Sequence, residues 1–246
     1  MSPVAVISDI HGNQPALDAV LEDIRALGIS TIFCLGDVTG YGPDVNECCD
    51  LIRAQCAVNL LGNHDAAVLG DIPISRFNAQ AADAIRYARA VITPRNVGYL
   101  SRLPLTVCTA RLCLAHSTPW QPSQWHYLQA ANLQDNLHFL AGGIGLAGHS
   151  HLLGAYLWSD PDASWKYLPG TLDSGDIAIG GRGGIVVAGS VGQPRDGDPR
   201  ASYVILDLDR ARLRFRRCTY PVAVAQRRII EAGLPAVLAA RLAVGR

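Results

Sequence analysis

The sequence predicts an α/β fold with two sheets packed face to face and helices outside them. Three observations lead there. Short apolar runs alternate with amphipathic helical segments over the first sixty-odd residues, closely spaced strand-like runs fill the chain after Thr106, and a helical pattern returns near the C-terminal end. Strands separated by helices demand right-handed crossovers and so a parallel sheet, whereas strands separated by a few Gly, Pro and Asp residues pair antiparallel.

The elements follow in order. Val4 to Ser8 is an apolar run of strand length, and Leu17, Val20, Leu21 and Ile24 then recur at helical spacing behind Pro15, a residue suited to a first helical turn. Gly28 closes that helix. Thr31 to Leu35 is the second strand, Val45 to Ala54 the second helix and Ala57 to Leu61 the third strand. An alanine-rich helix runs over 79–92 and ends before Pro94, with a shorter helical piece reaching Leu103. Segments 106–116, 144–149, 152–158, 164–168, 184–188, 202–208 and 212–218 are strands of a mainly antiparallel half, and a last helix spans 223–242. With 246 residues and 49% hydrophobic content, the chain is read as one domain, 1–246.

The 21 basic residues balance 21 acidic ones. No excess positive field is available to hold a long nucleic acid, so a small substrate is expected. No apolar run approaches the roughly 20 residues that cross a bilayer. Met1 leads straight into the first strand pattern without a basic leader and a cleavable apolar segment, so the expected compartment is the cytoplasm. The seven cysteines fit it, being odd in number and scattered, and are read as reduced thiols.

The polar residues that interrupt this pattern fall at strand ends. Asp9 and His11 follow the first strand, Asp37 the second, and Asn63, His64 and Asp65 the third. His116 ends the strand through Leu114, and His149 and His151 flank Ser150 after the strand through Leu146. Open α/β sheets bind ligands at the carboxyl ends of their parallel strands, so these groups are expected to meet. In an extended chain residues i and i+2 point the same way, which lets Asp9 act with His11 and His149 with His151. Asp9, His11, Asp37, Asn63, His116, His149 and His151 are too many ligands for one ion and suit two ions that share a carboxylate. Imidazole and oxygen donors without a thiolate fit manganese, iron or zinc better than magnesium alone. Taken singly, an Asp-x-His pair or a Gly-Asn-His-Asp turn has a purely structural reading, because Asn, Asp and Gly favour turns. Five such groups, all at strand ends, are poorly explained as independent accidents.

Asp9-Ile10-His11-Gly12, Gly36-Asp37, Gly62-Asn63-His64-Asp65, His116 and Gly148-His149-Ser150-His151 occur in the order of the calcineurin-like metallophosphoesterase motifs. The chain resembles that superfamily over essentially its whole length. Gly36 to Pro43 and Gly189 to Arg195 look like segments of its small bacterial and archaeal predicted phosphodiesterases. The resemblance implies a four-layer α/β/β/α sandwich of two mixed sheets. It also implies one ion on Asp9, His11 and His151, a second on Asn63, His116 and His149, and Asp37 as the bridge. His64 is then no ligand but faces the leaving oxygen, oriented by Asp65, and Tyr41, Asn63, His64 and Arg195 are the expected substrate contacts.

The expected reaction is hydrolysis of a small phosphate ester or nucleotide, a diester above all. Two ions activate a water, and His64, with an unperturbed imidazole pKa of about 6.5, protonates the leaving group. A phosphomonoesterase or a protein serine/threonine phosphatase shares the metal motifs, but its usual Asp-Arg-Gly after Gly-Asp is replaced by Thr39-Gly40-Tyr41. A non-catalytic binding scaffold of the same fold is the third reading, and the complete ligand set with His64 argues against it. Gly143 to Gly148 matches a dinucleotide fingerprint in form, yet it leads into a strand instead of opening a helix. Trp120, Trp125, His126 and Tyr127 near His116 are read as packing of an insert, with stacking on a base or an aromatic leaving group as the alternative.

Overall fold

The computed structural model describes residues 2–159, 161–162, 164–170 and 175–246. The chain opens with β1 (Val4–Ile7), α1 (Gln14–Ala26), β2 (Thr31–Cys34), α2 (Val45–Gln55) and β3 (Val58–Asn59), and the three strands are parallel. The side chain of Asn13 accepts from Ala16 N at the start of α1, where Pro15 takes the first turn. This satisfies one of the helix's orphan donors. Gly28, at φ +70°, ends it.

The middle of the chain supplies α3 (Asn63–Leu69), α4 (Ala79–Val91), α5 (Pro94–Leu100), β4 (Thr106–Cys108), β5 (Leu112–Ala115), α6 (Ala130–Leu140) and β6 (Ile144–Ala147). There follow β7 (Leu153–Ser159), β8 (Ser164–Pro169), β9 (Ile177–Ala178), β10 (Gly184–Ala188), β11 (Ala201–Asp207), β12 (Arg212–Cys218), α7 (Val222–Glu231) and α8 (Ala236–Leu242). One sheet runs β3-β2-β1-β11-β12-β9 and the other β4-β5-β6-β10-β7-β8. Both are mixed: β11 lies antiparallel to β1, and β10 is parallel to β6 but antiparallel to β7.

Strand alternation builds the layers. Val4, Val6, Phe33 and Leu35 face Leu146, Val186 and their neighbours in the core between the sheets. Ala5, Ile7, Ile32 and Cys34 point the other way, onto Leu17, Val20 and Ile24 of α1 and onto α2, α7 and α8. Burying each of those large side chains is worth about 1.5–3 kcal/mol. α6 covers the outer face of the second sheet through Leu137, against Ala147 and Ile185. The result is the α/β/β/α arrangement of two mixed sheets, with several helices on one side and α6 on the other. Among the described residues no helix is long and apolar enough to cross a membrane.

Several elements differ from the sequence reading. The strand expected over 106–116 is a hairpin, because the Thr109 hydroxyl accepts from Arg111 N and Leu112 N and turns the chain. Cys108 and Cys113 lie opposite each other in that hairpin and are joined as a disulfide, so not all seven cysteines are thiols. The last helix is two, α7 and α8, since Gly233 at φ +71° and Pro235 interrupt it. α3 was not anticipated: it starts at Asn63 as soon as β3 ends, with the Asp65 carboxylate capping Gly62 N.

Candidate metal centre

The loops after β1, β2, β5 and β6 and the first turn of α3 converge at one edge of the two sheets. Asp9, His11, Asp37, Asn63, His64, His116, His149 and His151 are all buried there. The local backbone is not the extended chain that the i, i+2 argument assumes. Asp9, His11, Asp37, His149 and His151 have φ between 51° and 64°, the left-handed region. Non-glycine residues pay for that conformation, on the order of 1–2 kcal/mol each, and it concentrates at functional sites. Hydrogen bonds from the surrounding loops hold the strained turns: Asp9 N donates to Gly36 O, His11 N to Asp37 O, and Gly192 N and the Ser190 hydroxyl both to Asp9 O. Close approach also dictates residue type, since a Cβ on Gly62 would stand 2.0 Å from Asp37 Oδ1.

Each of the four clustered imidazoles outside His64 is held by a backbone carbonyl. His11 Nδ1 lies 3.0 Å from Thr39 O, His116 Nδ1 3.1 Å from Leu35 O, and His151 Nδ1 2.6 Å from Gln193 O. His149 is held the other way round, by Nε2 at 3.0 Å from Trp125 O. A carbonyl can only accept, so these ring nitrogens carry protons, and Nε2 of His11, His116 and His151 and Nδ1 of His149 are the atoms left to the cluster. Burial drives His149 and His151 down to about 3 and about 4, so both are neutral, the form a metal requires.

The nitrogens left to the cluster meet carboxylates. Asp9 Oδ1 lies 3.2 Å from His151 Nε2 and 3.7 Å from His11 Nε2, and has no hydrogen-bond partner among the described residues. Asp37 Oδ2 is 3.3 Å from His116 Nε2 and 3.7 Å from His11 Nε2, and so stands between two groups. Asn63 Oδ1 is 3.1 Å from His116 Nε2. Asp9, His11 and His151 form one set of donors within 4.8 Å of one another, and Asp37, His116 and His149 another. Against the burial that would raise it, the imidazoles around it, His151 first, hold Asp9 well below the usual carboxylate range. Against burial again, the Asp37 charge lifts His116 to about 9, so this place favours positive charge. Buried acceptors facing one another, one of them orphaned, fit divalent cations.

His64 and Asp65 are placed differently from each other. The His64 backbone N donates to Asp37 Oδ1 at 2.8 Å, and its ring packs against Tyr41 and Phe77. His64 Nδ1 has no partner among the described residues, and burial pushes the ring's pKa well below its ordinary value. Asp65 makes no hydrogen bond to it. The Asp65 carboxylate instead accepts from Gly62 N, Val38 N, Thr39 N and the Thr39 hydroxyl. The expectation that Asp65 orients His64 directly therefore fails, because α3 turns its side chain back toward the β2 loop. Burial and the nearby Asp37 charge raise Asp65 to about 6. Tyr41 and Arg195 form a pair, the Tyr41 hydroxyl accepting from the guanidinium at 3.1 Å, and the Tyr41 ring lies 4.7 Å from that of His11.

A cavity of about 290 Å³ opens beside His64 and His149, with Phe77, Trp125 and Tyr127 in its wall. The sequence reading did not single out Phe77, which follows the short mixed segment Asp71-Ile72-Pro73-Ile74-Ser75-Arg76 with no helix or strand period. Trp125 enters through its main chain, which no side-chain pattern reveals.

The profile of the family described as calcineurin-like phosphoesterase matches residues 2–171. An uncharacterized protein of Methanocaldococcus jannaschii is 37% identical over 250 residues, covering 100% of this chain and 99% of its own. A metallophosphoesterase from Sphaerobacter thermophilus has a solved structure with a TM-score of 0.86 at 34% identity, covering 99% of this chain and 100% of that one. A hypothetical protein from Pyrococcus horikoshii shares the fold, with a TM-score of 0.79 at 19% identity over 100% and 99% of the two chains.

Proposed function

Since this chain belongs to the calcineurin-like phosphoesterase family and is a phosphoester hydrolase, we propose that it is a phosphodiesterase working with two divalent ions, manganese, iron or zinc. The observation that carries the two-ion reading is the pair of buried Asp/His donor sets, Asp9–His11–His151 and Asp37–His116–His149, with Asp37 also close to His11. Asp9, His11 and His151 would hold one ion and Asn63, His116 and His149 the other, with Asp37 shared between them. Ions held there would supply positive charge near the phosphoryl group and lower the pKa of water at the site.

The remaining work falls to the chain's own groups. His64 lines the cavity, its Nδ1 buried beside Gly40 without a hydrogen-bond partner, and gives a proton to the departing oxygen through the ring edge left to the cavity. Burial disfavours its charged form, and the anionic phosphate drawn in beside it acts in the opposite sense, so protonation is tied to substrate binding. The Arg195–Tyr41 pair stands on the His11 side of the site, where it contacts a non-reacting phosphoryl oxygen. The whole chain, 1–246, acts as one domain in this reading, its two sheets sharing a core.

Room for a second ester group supports the diester preference, because the cavity continues past His64 and His149 instead of closing over them. Rates on bis-p-nitrophenyl phosphate and p-nitrophenyl phosphate, measured with manganese, zinc and iron in turn, test it. Higher kcat/KM on the diester is expected. A clear preference for the monoester with every metal moves the assignment to a phosphomonoesterase.

A further inference from the structure

The cavity beside the ion cluster has a built character that phosphoester hydrolysis alone does not require. Two segments far apart in sequence supply its walls. The turn before α4 brings Phe77, whose ring stands edge-on to His64 with centroids 5.0 Å apart. The insert after β5 brings Trp125 and Tyr127. Tyr127 lies flat on His149, with ring centroids 4.3 Å apart and planes 15° apart, and is nonetheless 46% exposed. An aromatic ring stacked on one face and open on the other is a platform for a second flat group.

Polar groups in the same walls favour a particular kind of flat group. Asn78 uses Oδ1 to accept from Ala81 N at the start of α4, which leaves its amide NH₂ free to donate. Gln124 adds a second amide to the lining, and Arg76 is an exposed guanidinium with no side-chain hydrogen bond or ion pair among the described residues. A phenyl ring offers nothing to such groups, whereas a nucleobase presents donors and acceptors on its edge. The volume, about 290 Å³, falls just short of the usual small-ligand range of roughly 300–1,000 Å³. That is room for one nucleoside moiety.

We propose that this cavity, walled by Phe77 and Tyr127 and edged by Asn78 and Gln124, binds the nucleobase of a nucleotide whose phosphate lies at the ion cluster. The inference rests on the phosphoesterase site proposed above and assigns its substrate class. It makes Tyr127 and Phe77 specificity-determining residues, which raise the affinity of nucleotides over phosphate esters lacking a base.

The test is calorimetric binding to the full-length protein as purified. The probes are the 5′-methylene phosphonate of adenosine, its 1-O-methylribose counterpart, and phosphonomethyl-phenylalanine, in all of which carbon replaces the ester oxygen so that nothing is hydrolysed. The adenosine compound should bind about tenfold or more tightly than the ribose compound, as one stacked base contributes. Tyr127→Ala and Phe77→Leu should each erase most of that preference and leave ribose-phosphonate binding within about twofold. Phe77 touches none of the proposed ion ligands, so it keeps the test sharp should Tyr127→Ala disturb His149. Equal binding of the adenosine and ribose probes, or tighter binding of phosphonomethyl-phenylalanine, overturns the inference. Hydrolysis of bis-p-nitrophenyl phosphate reports separately on the phosphodiesterase reading, so either can fall while the other stands.

Discussion

The Nε2 atoms of His11 and His151 face each other at 3.1 Å, while Nδ1 of each is committed to a backbone carbonyl, that of Thr39 for one and Gln193 for the other. Burial keeps the His151 ring neutral, so its Nε2 lone pair points at a spot that His11 Nε2 and Asp9 Oδ1 also reach. A cation at that spot would satisfy these acceptors.

The first prediction is therefore about metal content and stability together. Elemental analysis should give two ions per chain, and a chelator should both abolish hydrolysis and lower the melting temperature, with manganese restoring both. His151→Ala should lose one ion. Asp37→Ala, which removes the carboxylate between the two groups, should weaken both. Full activity with a single ion, or loss of just one ion from the Asp37 variant, contradicts the bridge.

Asp65 carries a second prediction. Its carboxylate accepts from three backbone amides and a hydroxyl that tie α3 to the loop after β2. Asp65→Ala leaves those buried donors unsatisfied, and losing several at about 1–3 kcal/mol apiece should cost roughly 3 kcal/mol or more. Chemical denaturation measures this. A direct partner of His64 would instead leave stability nearly unchanged and lower only the rate on poor leaving groups.

How much of this was readable in advance depends on whether side chains or main chain do the work. The β1–α1–β2–α2 run is legible because apolar positions repeat at the right periods, and the ion-cluster residues because Asp, Asn and His at successive strand ends have few structural uses. The left-handed turns at Asp9, His11, Asp37, His149 and His151 were hidden, since nothing in Asp-x-His distinguishes them from extended chain. The carbonyls of Leu35, Thr39, Trp125 and Gln193 that fix the imidazoles were hidden for a deeper reason: every residue has one. The break between α7 and α8 was legible in Gly233 and Pro235 but outweighed by the apolar pattern on either side.

Away from the site, Asp23 of α1 ties the helix to the first sheet. It accepts from the Tyr203 hydroxyl at 2.6 Å and from Arg216 at 2.7 Å and 3.2 Å. Burial raises its pKa, but the Arg216 and Tyr203 hydrogen bonds win and hold it below 3.8. A depressed folded-state value means the stabilisation is complete above the unfolded value and is lost as pH falls through the folded one. Asp23→Asn should cost about 1 kcal/mol at pH 7, allowing for solvent screening of this part-exposed pair. The difference from wild type should shrink as urea titrations are taken below about pH 4. A gap that stays constant into that range argues that packing, not charge, is what the substitution removes.

His64 gives the sharpest prediction. Its position on the cavity wall, and its absence from the Asp9–His11–His151 and Asp37–His116–His149 sets, fit a proton donor to the leaving oxygen. Asp37, His11 and His64 also lie within reach of one another, so a ligand role is the rival to be separated. His64→Ala should keep both ions yet lose on the order of 10²–10⁴ in rate on a diester with an alkyl leaving group. A nitrophenolate leaves without needing a proton, so the loss on a nitrophenyl diester should be far smaller. A ligand role would lower metal content, and a purely electrostatic role would slow both esters alike. Metal stoichiometry and the two rates, taken on one preparation of the variant, thus decide the matter. Equal losses on the two leaving groups, with both ions retained, rule out the acid.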